Sequence, residues 1–208
     1  PEAMTGPDRP LRVGVIGYGH WGPNLVRNFH SCPNVQVAAV CDRDPKRLAH
    51  ARERYPGTRM GDRAEEVTGD PTIDAVAIAT PVASHHALAR AALEGGKHVL
   101  VEKPFVRSIA QALDLLDLAA ARGRMLLVDH TYLYARAVEA LRDLVARGEL
   151  GKVLYAYSSR LNLGIFQPDV NVVWDLAPHD ISIFNFVLGA RPASVQVRGA
   201  RHVLPAVE

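Results

Sequence analysis

The chain has 208 residues, 24 basic against 22 acidic side chains, a formal net charge of +2 and 48% hydrophobic residues. That apolar fraction excludes wholesale disorder, and at about 150 residues per domain the length fits one large domain or one and a half. The small net charge supplies no large basic field for nucleic acid, and no apolar run approaches the roughly 18 residues of a membrane-spanning helix.

Residues 1–10 lack the apolar stretch of a secretory signal and read as a disordered tail, with Met4 as a natural start. Val13-Gly14-Val15-Ile16 is a short apolar run that ends in glycines, which predicts a buried strand; Leu25, Val26 and Phe29 then recur at helical spacing. Residues 35–40 predict a second strand. Pro45–Arg54 predicts a helix, with Pro45 in its first turn and Pro56-Gly57 closing it. A weaker unit spans 58–68. Residues 75–79 predict a third strand, 84–93 a helix stopped by Gly95-Gly96, and His98–Val101 another strand. Residues 109–121 predict a helix capped by Ser108 and ended near Gly123, with Leu113, Leu116 and Ala120 on one face. A strand at 125–128 follows. Continuous apolar strands alternating with amphipathic helices predict a parallel sheet covered on both faces, doubly wound through right-handed crossovers, over 11–130.

After Asp129 the pattern changes. A helix over 135–147 leads through Gly148 and Gly151 into 153–163, whose longer alternation suits a sheet solvated on one face. A polar loop at 164–170 precedes a helix at 175–188 and a last strand at 193–203. Roughly 80 residues are few for a complete second domain. Residues 131–208 are therefore read as a partial domain, truncated or completed by another subunit. Cys32 and Cys41 are too few for a disulfide framework, so free thiols and a cytoplasmic location are expected.

The strongest local signal is Gly17-Tyr18-Gly19-His20-Trp21-Gly22, a G-x-G-x-x-G that follows a strand and opens a helix, as a dinucleotide fingerprint requires. The first glycine permits the tight turn, the second lets backbone approach a pyrophosphate, and the third lets helix and strand pack closely. The helix N-terminus then faces the phosphates with unpaired N–H groups. Asp42 closes the second strand, where a carboxylate would accept hydrogen bonds from an adenosine ribose and repel a 2′-phosphate. That favours NAD, although Arg43 beside it could pair with the phosphate of NADP. A helix cap or solvated turn acid is the other reading of Asp42.

Glu102-Lys103-Pro104 sits at the end of the strand His98–Val101, where ligands of doubly wound sheets bind. Burial beside a cofactor would lower the pKa of Lys103; a surface ion pair in a turn fits the spacing equally well. Asp175 and His179 share a helix face, which suits an imidazole acid–base group with a carboxylate nearby, two metal ligands lacking a third, or an ordinary helical histidine. No metal is expected. Asp180 should point to a different face. His85 and His86 open a helix just after Thr80-Pro81, one facing the cofactor and the other solvated.

Together these residues resemble the glucose–fructose oxidoreductase / inositol dehydrogenase (Gfo/Idh/MocA) family. The resemblance rests on the glycine fingerprint, Cys41-Asp42-Arg43-Asp44-Pro45, Ala79-Thr80-Pro81 with His85, Gly96-Lys97-His98-Val99, Glu102-Lys103-Pro104, and Asp175 with His179. It implies an N-terminal Rossmann domain joined to an α/β domain with a mostly antiparallel sheet. It also implies hydride transfer between NAD (or NADP) and a carbon bearing a hydroxyl or keto group, usually on a sugar or cyclitol. By position, Lys103 would move the hydroxyl proton and bind substrate, and His179 would be a second acid–base group oriented by Asp175. Thr80, Pro81, His85 and Glu102 would line the nicotinamide side.

The runs Arg160-Leu161-Asn162-Leu163 and Asn171-Val172-Val173-Trp174-Asp175 resemble members associated with nucleotide-sugar and polysaccharide biosynthesis. The resemblance thus implies a nucleotide-linked sugar as substrate, with Arg160 and Asn162 among its contacts. It also implies a homo-oligomer formed through the C-terminal sheet, with neither nucleic acid nor membrane as partner. Two departures stand out: Asp129-His130-Thr131-Tyr132 replaces the Arg-Phe pair of many relatives, and the chain ends well before a typical relative would. The alternatives are a free-sugar or cyclitol dehydrogenase of the same family, or a non-catalytic module sensing the NAD/NADH ratio. An amino-acid-pathway dehydrogenase is disfavoured by Glu102-Lys103-Pro104.

Overall fold

Six short strands carry the first half of the chain: β1 (Leu11–Ile16), β2 (Val35–Cys41), β3 (Arg59–Gly61), β4 (Ala75–Ile78), β5 (His98–Val101) and β6 (Leu126–Val128). All pair in parallel, in the order β3-β2-β1-β4-β5-β6. The chain therefore starts mid-sheet, winds outward to β3, returns beside β1 and winds the other way to β6. That is the strand order of a doubly wound nucleotide-binding sheet, whose switch point lies between β1 and β4. The computed structural model describes residues 9–161 and 170–200, in two compact units, Pro1–Asp129 and His130–Glu208.

Both faces of the sheet are covered, which is why its strands read as unbroken apolar runs. Val13, Val15, Val37, Val40 and Ala77 pack in one core cluster with Leu25 and Val26 of α1 (Gly22–Ser31) and Ala51 of α2 (Pro45–Arg54). The alternate residues Ile16, Ala39, Cys41, Val76, Ile78, Val99 and Val101 face the other cluster. There they meet Val67 of α3 (Glu65–Thr68), Ala89 and Leu93 of α4 (His85–Glu94) and Leu115 of α5 (Ile109–Arg122).

Local chemistry sets the helix ends. The Asp44 carboxylate accepts from Lys46 N at 2.8 Å and Pro45 starts α2 with its φ already fixed. Ser108 Oγ accepts from Gln111 N and caps α5. The weaker unit expected at 58–68 is a three-residue strand followed by a single turn of helix. Below the sheet, Lys97 is 4% exposed, and its ammonium donates to the carbonyls of Asp70 and Ile73.

The second unit contains α6 (Arg136–Ala146) and α7 (Val172–Leu188), after a one-turn 3-10 segment at Thr131–Tyr134. The Arg142 guanidinium lies 4.7 Å from the centre of the Phe186 ring, joining the two helices. Helix α7 starts earlier than expected because the Asn171 side chain accepts from Trp174 N at 2.8 Å, and Pro178 falls inside it. The strands expected at 153–163 and 193–203 are not seen: their described residues, 153–161 and 193–200, join no ladder. Alternation makes a strand only where a neighbour takes its backbone hydrogen bonds. Here Leu154, Tyr155, Tyr157 and Val195 are all exposed, on both sides of the alternation. No helix among the described residues is long and apolar enough to cross a membrane.

Candidate active site

Every candidate residue of the first unit follows a strand at the same rim of the sheet. Backbone bonds extend the ladders one position past the strands: Gly17 N to Cys41 O, Ala79 N to Ile16 O, Glu102 N to Ile78 O and Asp129 N to Val101 O, all at 2.8–2.9 Å. The parallel pairing thus brings the glycine turn, Asp42, Thr80, Glu102 and Lys103 to one edge.

The glycine turn is tight where packing demands it and open where a ligand would approach. Gly17 has φ 98°, and a Cβ there would stand 2.4 Å from the carbonyl oxygen of Ala79. A Cβ on Gly22 would stand 2.1 Å from the carbonyl oxygen of Gly17. At Gly19, by contrast, a Cβ would meet only the Arg47 guanidinium, at 3.2 Å. This cradle fits a diphosphate laid against the backbone at the N-terminus of α1. Gly22→Ala is expected to open the turn, lowering the melting temperature and weakening NADH at least about tenfold in a fluorescence titration. Tyr18 is buried in the core, so it offers no side chain to a ligand; His20 and Trp21 are exposed.

Asp42 is not the solvated turn acid that sequence reasoning weighed against a ribose contact, and the cap of α2 is Asp44. The Asp42 side chain is largely buried, Oδ2 accepts from Tyr18 N at 2.6 Å, and Oδ1 accepts from Asp44 N at 2.8 Å. These bonds pin the glycine turn to the end of β2, and the carboxylate's remaining lone pairs stay at the rim. The nearest cation is Arg47, whose Nη1 lies 3.5 Å from Asp42 Oδ2 and whose Nε lies 3.5 Å from Asp44 Oδ2. Arg43 is exposed. Sequence reasoning missed Arg47; the signal was its position on the first turns of α2, facing back over the two aspartates.

Thr80 lies half-buried, with its hydroxyl 2.7 Å from that of Ser84, and Pro81 is exposed. His85, expected to face the nicotinamide, is 1% exposed. Its Nε2 lies 2.8 Å from the Thr80 carbonyl, and its Nδ1 lies 3.0 Å and 3.2 Å from the carbonyls of Pro104 and Phe105. With both nitrogens turned to backbone oxygens, His85 ties the loop after β4 to the loop after β5. His86 lies on the α4 surface, 2.8 Å from Asp114.

Lys103 precedes Pro104 across a cis peptide bond and is half-buried. Its N–H donates to Glu102 Oε2 at 3.3 Å. Among the described residues, Glu102 Oε1 is buried and accepts no hydrogen bond. Burial first, and then the neighbouring Asp129 carboxylate, push the Glu102 carboxyl up to about 8.

Asp175, His179 and Arg160 belong to the second unit. Asp175 and His179 lie on α7, both half-buried. The Tyr132 ring meets the His179 ring edge-on at 4.9 Å and lies 5.0 Å below the Arg160 guanidinium. Arg160 Nε donates to Asp180 Oδ2 at 2.8 Å, a bond that raises the arginine pKa further. Asp180, set aside in the sequence, thus anchors the expected sugar contact Arg160. Asn162 lies outside the described residues. Among the described residues, no three His, Cys, Asp or Glu side chains gather as metal ligands would.

Residues 11–130 match Gfo/Idh/MocA, described as an oxidoreductase family with an NAD-binding Rossmann fold. The chain belongs to this family. It is 34% identical, over 81% of its length and 51% of the relative's, to the uncharacterized oxidoreductase YdgJ of Escherichia coli K12. It is 30% identical to a UDP-N-acetylglucosamine 3-dehydrogenase of Acidithiobacillus ferrooxidans, over 93% of this chain and 59% of that one. An oxidoreductase of Agrobacterium radiobacter, solved with NAD+, L-tartaric acid and magnesium, superimposes with a TM-score of 0.78 at 26% identity, covering 86% of this chain and 55% of the other. The chain spans about half the length of the curated relatives it matches.

Proposed function

We propose that this chain carries the NAD-binding part of a Gfo/Idh/MocA oxidoreductase that moves a hydride between nicotinamide and a ring carbon of a sugar, most specifically a nucleotide-linked sugar. The observation that carries the reading is the shared rim: the open glycine turn, Asp42 and the Glu102-Lys103 pair all follow parallel strands at one edge of the sheet. NAD, when bound, supplies the hydride acceptor or donor. The amides of residues 17–22 and the α1 N-terminus hold the diphosphate, Asp42 accepts from the adenosine ribose, and Thr80 and Pro81 border the nicotinamide.

Lys103 takes the proton of the reacting hydroxyl in oxidation and returns it in reduction. His179 is the second acid–base candidate, oriented by Asp175, while Arg160 and Asn162 contact the sugar. The nucleotide-sugar choice draws support from relatives such as the UDP-N-acetylglucosamine 3-dehydrogenase. In the whole protein, segments 153–161 and 193–200 join an antiparallel sheet whose face builds a homo-oligomer. Two free thiols, Cys32 and Cys41, fit a reducing compartment such as the cytoplasm. Nucleic acid and membrane have no part in this reading.

The negative charge of Asp42 discriminates against a 2′-phosphate, so NAD is preferred over NADP. Asp42→Ala is expected to weaken NADH by about tenfold and NADPH by less, since a hydrogen bond to a charged group is worth roughly 1.5–3 kcal/mol. The reverse ranking in fluorescence titrations overturns the cofactor preference. The activity is tested by following NAD reduction with a panel of UDP- and dTDP-sugars; tight NADH binding without turnover on any sugar favours a sensing module instead.

A further inference from the structure

We propose that Glu102 and Asp129 form a carboxyl pair that shares one proton and sets the charge facing Lys103. The proposal deepens the functional reading above and rests on its placement of Lys103. Strands β5 and β6 pair in parallel with Val101 opposite Val128, and Asp129 N donates to Val101 O at 2.9 Å. Glu102 and Asp129 are the next residues on each strand, so they are lateral neighbours on one face, roughly 5 Å apart at Cα. The Asp129 carboxylate is the first acid to bear on the Glu102 carboxyl, after burial itself.

Two ionised carboxylates on neighbouring strand ends repel, and Glu102 Oε1 is buried and accepts no hydrogen bond among the described residues. A single proton held between the two acids gives that oxygen a partner and leaves the pair with one negative charge instead of two. The raised titration of the Glu102 carboxyl agrees with this arrangement. The charged groups that bear most on Glu102 are Asp129, one residue past β6, and Lys103, next to it in its own loop. His85 of α4 is turned to the carbonyls of Thr80, Pro104 and Phe105.

The consequence falls on Lys103. With one proton shared, the pair places a single negative charge beside that side chain. When pH rises enough to remove the shared proton, the pair becomes doubly negative. Glu102 and Asp129 are thus positioning residues that act through Lys103. They set the charge that this side chain meets.

The test combines carboxyl titration with lysine reactivity. With the glutamate carboxyls labelled with carbon-13, NMR is expected to show one carboxyl titrating above neutrality in the full chain, missing in Glu102→Gln. In Asp129→Asn it should move down by about two pH units or more, because the like charge is gone. Competitive labelling of Lys103 with acetic anhydride, read by mass spectrometry, should show two inflections with pH in wild type and one in Asp129→Asn. Folding stability gives a third measure. A carboxyl raised from 4.5 to about 8 binds its proton more tightly folded than unfolded, so stability falls as pH rises through that window, and Glu102→Gln removes the fall.

A Glu102 carboxyl titrating in the ordinary range of about 4–5 in wild type overturns the proposal, as does an Asp129→Asn variant that leaves it unmoved. NADH titration separates the two levels. A shared proton in a chain that fails to bind NADH upholds the pair and sinks the functional reading; tight NADH binding with ordinary carboxyls does the opposite.

Discussion

Replacing Lys103 with alanine is expected to lower turnover with the sugar substrate by about 10²–10⁴-fold, the range typical of a lost general acid or base. The NADH dissociation constant should stay within about threefold, because the interaction lost is made to the reacting hydroxyl. Lys103 ends a loop fixed at three points: Glu102 N bonds Ile78 O, Lys103 N bonds Glu102 Oε2, and His85 reaches the carbonyls of Pro104 and Phe105. Truncating the side chain leaves that backbone in place, so the loss reports on the amine itself. Lys103→Arg sharpens the test. A guanidinium keeps the positive charge but does not release its proton at working pH, so the variant should regain substrate binding without regaining kcat. If Lys103→Ala turns over at the wild-type rate, or Lys103→Arg restores kcat, proton transfer belongs to another group.

The fold of the first unit was legible because its signals are local. Pro45–Arg54 and His98–Val101 are found with the expected ends, since Asp44 and Pro45 start the one and Gly95-Gly96 leads into the other. The unbroken apolar strands demanded cover on both faces, and alternate residues do enter two clusters. The second unit was less legible. The alternation at 153–163 and 193–203 is a statement about partners, and no described neighbour supplies them.

Much the same division runs through the site. The glycine turn could be read from spacing because each glycine answers a backbone constraint. Arg47, Asp129 and Asp180 could not. Each gains meaning only through a neighbour brought up by the fold: Asp42 for Arg47, Glu102 across the β5–β6 register for Asp129, and Arg160 for Asp180. Asp129 was noticed in the sequence only as a departure from relatives, and the register is what gives it a partner. His85 was expected on the nicotinamide side; the structure buries it with its ring nitrogens against backbone carbonyls, which only the fold brings to it.

Lys97→Met is expected to cost about 2–4 kcal/mol of stability and to lower the melting temperature by roughly 10 °C. Methionine preserves the apolar stem of a side chain that is 4% exposed, so packing is largely kept. What disappears is the ammonium that donates to the Asp70 and Ile73 carbonyls; Asp70 O keeps only the longer bond from Ile73 N at 3.2 Å, and Ile73 O loses its side-chain donor. Those carbonyls flank the entry to β4. There Asp74 accepts from Arg12 N at 2.8 Å and pairs with Arg9 at 2.7 Å, a contact that holds the Asp74 carboxyl down to about 2.

Lys97 adds positive charge to the same corner. Because Asp74 titrates lower folded than unfolded, its contribution is complete above about 3.8 and is lost as pH falls toward about 2. The Lys97→Met deficit should therefore persist at neutral pH, where Asp74 is fully ionised. Since β4 enters the sheet at this corner and leaves it at Thr80, the opposite rim should be spared. NADH affinity measured well below the melting temperature is expected to match wild type. An unchanged melting temperature would mean that the two carbonyls find other donors and that Lys97 is dispensable to the fold. A lost NADH site in a folded Lys97→Met chain would mean that the corner and the rim are coupled through β4.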